Sequence, residues 1–341
     1  MRLVRLPVGS ARWAAFLVTR RDAVPFHHPA WAEVLTDCYG YPSFVLGLED
    51  DDGALVAGLP FLEVKRLIGE TRWISLPFTD SCPPLAPEAD GRRLAEALDA
   101  ERQDHGVGRI ELRGPLVGAQ PEPGPRPLSH RLALDADPDV VARRFRQSTV
   151  RNIRKAERSG LELRHADAES DLTEIFYSMH LETRRRLGAP VQPRRFFRLL
   201  WRRMFVDVGL GQVLFAYKGG EPIAAIVLLE WNGTTTYKFG ASDPRFWELR
   251  PNNLLFAEAI RAACLRGQHT FDFGRTDAAG EGLRRFKIGW GCEEESLEYS
   301  VLGVPARRAG AEVPGVVTTV IRRSPAWVTR ALGEVFYKYA A

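Results

Sequence analysis

YKFGASDPRFWELRPNNLLFAEAIRAACLRGQHTFDFGRTDAAGEGLRRFKIGWG, residues 237–291, decides how the second half of the chain is read. A strand ends at Ala241, and a loop with Ser242, Asp243 and Arg245 follows. Pro251, a favoured first-turn residue, opens a helix that runs to Arg266 with Asn252 and Asn253 in its first turn. A strand is expected over 269–273 and a short helix near 280–288. A helix start facing a strand end presents unpaired N–H groups and a positive dipole end, which together attract an anion such as the phosphate of a donor molecule.

Upstream, strands are expected at 212–218, 222–231 and Thr234 to Ala241, the first two joined by Lys218-Gly219-Gly220-Glu221. A long basic helix at 138–159, a strand from Leu161 to His165 and helices at 168–187 and 194–207 precede them. Downstream come a final strand at 294–302 and an amphipathic tail from Pro314, interrupted at Pro325. GAQPEPGPRPLSH, residues 118–130, holds four prolines and two glycines and sustains neither periodic element, so a domain boundary belongs there. Before it lie a helix at 26–40, strands at 43–49 and 54–65 turning at Asp52-Gly53, a strand from Trp73 to Leu76, a helix from Pro87 to His105 and a strand from Arg109 to Arg113. The same α+β layout thus recurs, which implies tandem copies of one fold: domains at 1–130 and 131–303 and a helical tail at 304–341.

A length of 341 residues suits two cores, and 45% hydrophobic with 26% charged residues is ordinary globular composition. The four cysteines form no C-x-x-C pair and have no histidine at ligand spacing, so neither zinc nor a disulfide framework is expected. The apolar run Ala14 to Val18 is too brief for a signal segment, and no stretch approaches the ~18 apolar residues of a membrane span. A soluble, cytoplasmic, monomeric protein is the expectation. Net charge is only +4, but Arg143 to Arg158 holds seven basic residues against Glu157, and Arg184 to Arg203 holds eight arginines and no acid. Two such runs point to a phosphate-rich partner.

FDFGR (271–275), followed by GLRRFKIGWG (282–291), resembles the C-terminal signature of Fem-type transferases and related GNAT proteins. RQSTVRNIRKAERSGLELR (146–164) is similar to the basic helix and strand that open their second domain, and FHHPAW (26–31) to their usual beginning. The resemblance follows the family's order over most of the chain. It implies two tandem GNAT-like domains, each a mixed, mostly antiparallel sheet flanked by helices, with the active cleft mainly in the second. It also implies acyl transfer to an amine. In tRNA-dependent members an aminoacyl-tRNA co-substrate is the donor, and a peptide bond forms on a peptidoglycan precursor or another small-molecule or peptide amine, such as a natural-product intermediate. Other members with these motifs are acyl-CoA-type acetyltransferases of polysaccharide or envelope pathways. The chain lacks both a long coiled-coil insertion and an R-x-x-G-x-G/A pyrophosphate loop. A non-catalytic nucleic-acid-binding protein using the arginine runs alone is a third reading.

Lys287 occupies the position where the family places a lysine at the donor's acylated end, where an ammonium can stabilise an oxyanion or hold a phosphate. Its replacement by alanine is expected to cut turnover with little change in folding. Asp272, between Phe271 and Phe273, either faces the cleft as a base or pairs with an arginine such as Arg275. Ser242, Arg245, Trp247, Asn252, Asn253, Arg275 and Phe286 are expected around the donor. Arg151, Asn152, Arg154, Lys155 and Tyr237 are expected at acceptor or donor phosphates, which guanidinium forks match. His27 and His28 read as helix-entry residues, and Trp201 and Trp231 as core. No metal site, triad or Walker loop is present in the sequence.

Overall fold

The computed structural model describes residues 1–65, 70–277, 280–304 and 315–337, and it divides into two compact units. The first contains Met1–Pro127 together with a strand near 300, and the second contains Leu128–Glu295 with the helices of 315–337. The expected tail at 304–341 is therefore described only over 304 and 315–337; 305–314 and 338–341 lie outside the described residues.

In the first unit β1 (Arg2–Leu6), α1 (Ala11–Val18), α2 (Pro29–Tyr39), the hairpin β2 (Ser43–Glu49) and β3 (Leu55–Lys65), β4 (Thr71–Ile74), α3 (Gly91–Asp104), β5 (Arg109–Leu112) and the two-residue β6 (Gln120–Pro121) follow one another. Helix α2 starts as expected at Pro29, with the His28 side chain accepting from Ala30 N, and ends at Gly40 in the left-handed region. Helix α3 is shorter than the expected 87–105 because its first turn, Glu88–Asp90, is a 3-10 turn. Neither β1 nor α1 was expected; β1 pairs antiparallel along all five residues with β2.

The second unit begins with β7 (Leu128–Ala133), inside the segment expected to be an irregular boundary. There follow α4 (Pro138–Ala142), α5 (Gln147–Glu157), β8 (Glu162–His165), α6 (Tyr177–Leu187), α7 (Arg194–Leu200), β9 (Gly211–Lys218), β10 (Glu221–Trp231), β11 (Thr234–Ser242), α8 (Pro251–Leu265), β12 (Thr270–Asp272), α9 (Glu281–Ile288) and β13 (Glu293–Ser296). β14 (Ser300–Gly303) comes next, then α10 (Gly315–Arg323) and α11 (Ala326–Phe336), which break at Pro325 as expected. Among the described residues no helix is long and apolar enough to cross a membrane.

The sheet orders are β1-β2-β3-β4-β5-β14-β6 and, read from the other edge, β8-β9-β10-β11-β12-β7-β13. Both run antiparallel until one parallel pair, β4 with β5 and β11 with β12. The plan repeats, and in each sheet the strand after the parallel pair is distant in the chain from the strand it joins. β14 lies beside β5 in the first sheet, and β7 lies beside β12 in the second. This corrects two expectations. The single strand at 294–302 is two strands in different sheets: the charged, largely exposed EEES of β13 is an edge, and the buried SVLG of β14 is interior. The expected 131–303 unit consequently begins at Leu128 and does not include β14.

Strand β10 is buried almost throughout, as a central strand covered on both faces must be. Helix α8 lays Leu255, Phe256, Ala259, Ile260, Ala263 and Cys264 on one stripe against β10, β12 and Trp290. Each such large apolar side chain contributes about 1.5–3 kcal/mol on burial. The expected helix at 138–159 is two helices, because Arg146 is extended and its N–H bonds to Gly289 O instead of continuing the spiral. Glycines make that approach possible: a Cβ at Gly291, where φ is +74°, would lie 2.5 Å from Arg144 O.

Candidate active site

Strand β11 carries one residue more than its partner. Val227 faces Phe239 and Leu228 faces Tyr237, so Lys238 is a bulge. On its other side β11 pairs with β12 only at Thr234, Thr235 and Thr236. β12 ends at Asp272, so among the described residues the half of β11 beyond Thr236 has no parallel partner there. A cavity of about 200 Å³ lies beside that far half. β11 supplies Tyr237, Gly240, Ala241 and Ser242, the start of α8 supplies Asn252 and Phe256, α9 supplies Leu283, Phe286 and Lys287, and α6 supplies Thr183.

Lys287 is 2% exposed. Its Nζ donates to Gly274 O at 2.8 Å and to Arg275 O at 3.0 Å. The turn that offers these carbonyls is itself tied down, because Asp272 Oδ1 accepts from Gly274 N at 2.7 Å and Gly274 has φ +69°. The ammonium is thus a fixed charge on the cavity wall. Its field reaches His130, whose pKa is lowered first by burial and then by the charge of Lys287, while Glu294 accepts from His130 Nε2 at 3.0 Å.

Of the expected residues, Tyr237, Ser242, Asn252, Phe286 and Lys287 meet at this cavity. Tyr237 packs edge-on to Phe256, and a Cβ on Gly240 would lie 2.1 Å from the Tyr237 hydroxyl, so glycine is what leaves that ring its place. Ser242 Oγ accepts from Trp247 Nε1 at 2.9 Å and from Asn252 Nδ2 at 3.5 Å, which ties the exposed Trp247 to the rim. The Arg186 guanidinium sits 4.9 Å from the Trp247 ring.

Other expected residues lie elsewhere. Asp272 does not line the cavity; its second oxygen lies 3.8 Å from Arg131 Nε, so the carboxylate serves the turn under Lys287. Arg275 donates its side chain to Asp277. Arg245 is held by Asp243 and Glu221, which raise its pKa. Asn253 is buried in α8, its N–H on Arg250 O. Arg151, Asn152, Arg154 and Lys155 lie on α5, and Arg154 lines a different groove, with Phe145, Ile153 and Ile260. Helix α5 is nevertheless fastened to the end of α9, through Thr149 Oγ1 donating to Gly289 O at 2.9 Å.

In the second arginine run Arg185, Arg194, Arg198 and Arg203 face Glu182, Glu174, Glu169 and Asp207, while Arg184 donates to Pro190 O and Arg186 lies over the Trp247 ring. On the first run Arg143, Arg146, Arg151, Arg154 and Lys155 have no acidic partner within 4.0 Å among the described residues. Thr183, Phe256 and Leu283 were not singled out in the sequence. The helical spacing of Phe176, His180 and Thr183 is the signal that places Thr183 on an inward face. Among the described residues no group of three His, Cys, Asp or Glu is placed to hold a metal ion.

Residues 143–292 match the family model described as Acetyltransferase (GNAT) domain. No curated protein matches the chain by sequence. Among solved structures, FemX aligns with a TM-score of 0.72 at 14% identity, covering 89% of this chain and 98% of that one. The C-terminal domain of a putative lysylphosphatidylglycerol synthetase from Agrobacterium fabrum aligns at 0.54 and 13% identity, covering 91% and 95%. L-PGS from Bacillus licheniformis aligns at 0.53 and 13%, covering 94% and 97%. At such identities the likeness is one of fold.

Proposed function

We propose, from the match of residues 143–292 to the Acetyltransferase (GNAT) domain model and from the fold shared with FemX, that the chain transfers an aminoacyl group from aminoacyl-tRNA to an amine acceptor, forming an amide bond on a peptidoglycan precursor or a natural-product intermediate. The observation that carries the reading is the unneutralised basic face of α5, fastened to the helix that brings Lys287 to the cavity. A phosphate-rich donor lies along the arginines, and its acylated end enters the cavity.

In this reading the acceptor amine attacks the ester carbonyl, the C–N bond forms, and the tRNA ribose oxygen leaves with the proton the amine gives up. No covalent enzyme intermediate is needed; holding the two reactants in line supplies much of the acceleration. Lys287 acts as a fixed positive charge toward the oxyanion of the tetrahedral intermediate, and a preorganised charge in a water-poor site is worth about 2.7–4 kcal/mol to such a step. Asp272 is a positioning residue, through Gly274. Trp247, at the rim, offers a face to a terminal base.

Two measurements test this. Mass spectrometry of reactions supplied with a pool of charged tRNAs and candidate amines should show an aminoacylated amine. Arg151→Ala and Lys155→Ala should each weaken tRNA binding and lower the slope of log affinity against log salt by about one. Turnover of acetyl-CoA with no product from any charged tRNA would assign the donor to the acyl-CoA class. Salt-dependent tRNA binding without any product would leave a binding module.

A further inference from the structure

The turn that offers its carbonyls to Lys287 hangs from β7 by three main-chain bonds. Phe273 N donates to His130 O, Thr276 N to Leu128 O and Leu128 N to Thr276 O, at 2.9, 2.8 and 2.8 Å. Gly274 and Arg275 lie between those fixed points, and Lys287 Nζ closes on both of their carbonyls. A second path joins the same turn to α9. The His130 imidazole is fully buried, Thr276 Oγ1 lies 3.4 Å from its Nδ1, and Glu294 Oε2 accepts from its Nε2 at 3.0 Å. Glu294 also accepts both prongs of the Arg284 guanidinium, at 2.7 and 2.6 Å, and Arg284 stands three residues before Lys287 in α9. Residues at that spacing are neighbours on one helix face. The contacts thus form a ring, from Lys287 through the 274–276 turn, His130, Glu294 and Arg284 and along one turn of α9 back to Lys287.

Elementary chemistry fixes the state of the imidazole. Arg284 holds the Glu294 carboxyl below its usual range, so Glu294 is ionised and only accepts. The ring proton is therefore on Nε2, and Nδ1 is left to accept from the Thr276 hydroxyl. A second proton would remove that acceptor and set another positive charge beside Arg284 and Lys287, against the Glu294 carboxylate. Burial first, and then the Lys287 charge, lower the His130 pKa accordingly. His130, Thr276 and Glu294 are not among the residues that line the cavity, whereas Lys287 is. An ammonium on a four-carbon stem is a mobile charge unless its bonds are fixed, and a displacement of about 1 Å at a reacting centre costs on the order of a hundredfold in rate.

We propose that His130, with its proton on Nε2, is a positioning residue: it links the turn under Lys287 to the helix that carries Lys287 and so holds the ammonium in place on the cavity wall. The inference rests on the reading of Lys287 as the charge that meets the reacting group, so its first test needs no substrate. In the full chain labelled with ¹⁵N-lysine, the Lys287 ammonium should give a slowly exchanging Nζ signal, identified by its absence in Lys287→Met. His130→Leu should speed exchange of that ammonium with water about tenfold or more, and His130→Gln, whose amide N–H can still donate to Glu294, should restore most of the protection. Melting temperatures within a few degrees of the parent certify that the variants fold; should the leucine variant not fold, Thr276→Val, which removes the hydroxyl at constant shape, should show the faster exchange instead. With whichever acyl donor the chain accepts, His130→Leu should lower kcat about tenfold and leave KM nearly unchanged, the mark of an interaction made in the transition state. Long-range ¹H–¹⁵N spectra of the parent at pH 7 should show His130 protonated on Nε2 alone. A proton on Nδ1, unchanged Lys287 exchange in a folded variant, or unchanged kcat beside altered exchange overturns the assignment. If exchange responds as expected while no charged tRNA is a donor, the positioning role stands and the aminoacyl-tRNA reading fails.

Discussion

At the scale of single residues, Lys287 shows how burial changes the meaning of a motif. The expectation that it can be removed with little effect on folding does not fit an ammonium that is 2% exposed and bonded to two main-chain carbonyls. Lys287→Met should lower turnover by about a hundredfold and also lower stability by about 1–3 kcal/mol, because the carbonyls of Gly274 and Arg275 lose a buried donor. Steady-state kinetics and urea unfolding on the same sample check both, and full activity in that variant would remove the lysine from the mechanism. Asp272 was placed by its sequence neighbours but not by its role. The alternation Phe271-Asp272-Phe273 sets it on the face opposite its apolar neighbours, yet only the fold shows its carboxylate accepting from Gly274 N. Thr183 was missed although its spacing from Phe176 and His180 marks an inward face, because that spacing does not say that the face meets a cavity.

At the scale of elements, helix α8, the β9–β10–β11 meander and α9 were legible because each depends on local rules: a proline at a helix start, glycines in a tight turn, and apolar residues at the helical period. Gly219 and Gly220 both take positive φ in that turn, as a two-residue hairpin requires. The basic helix was misread as continuous because nothing between Arg143 and Arg146 breaks a helix by propensity; the break comes from a long-range bond to Gly289 O. The same contact explains the glycines of the GWG segment. Gly291→Ala would force a side chain onto a left-handed backbone and into Arg144 O. A loss of roughly 2 kcal/mol or more is expected in urea unfolding, since the left-handed region alone costs about 1–2 kcal/mol. A variant as stable as the parent would show that the α4–α5 turn moves freely away from this glycine.

At the scale of the whole molecule, each unit contains a histidine buried in neutral form. His27 is pushed down to about 4 and His180 to about 3, in both cases chiefly by burial. An unfolded histidine takes up a proton near pH 6.5, whereas these do so only well below it. Stability is therefore whole above pH 6.5 and falls as pH drops toward the folded values. By pH 5 the loss is about 2 kcal/mol for each unit, before the carboxylates whose pKa values are lowered, such as Glu49 and Asp243, begin to titrate. Melting temperature should drop by several degrees between pH 7 and pH 5, and His180→Gln should shrink the drop; a flat profile would contradict the buried neutral state. Periodicity, turn residues and motif order by themselves determined that the chain holds two α+β repeats and which elements most of its segments form, because these follow from interactions within a few residues. Only the tertiary structure decided that β14 joins β5 in the first sheet and β7 joins β12 in the second, which arginines of the two runs meet acidic partners, and which side chains line the cavity. Those outcomes depend on pairings between residues far apart in the chain, whose closure no local pattern encodes.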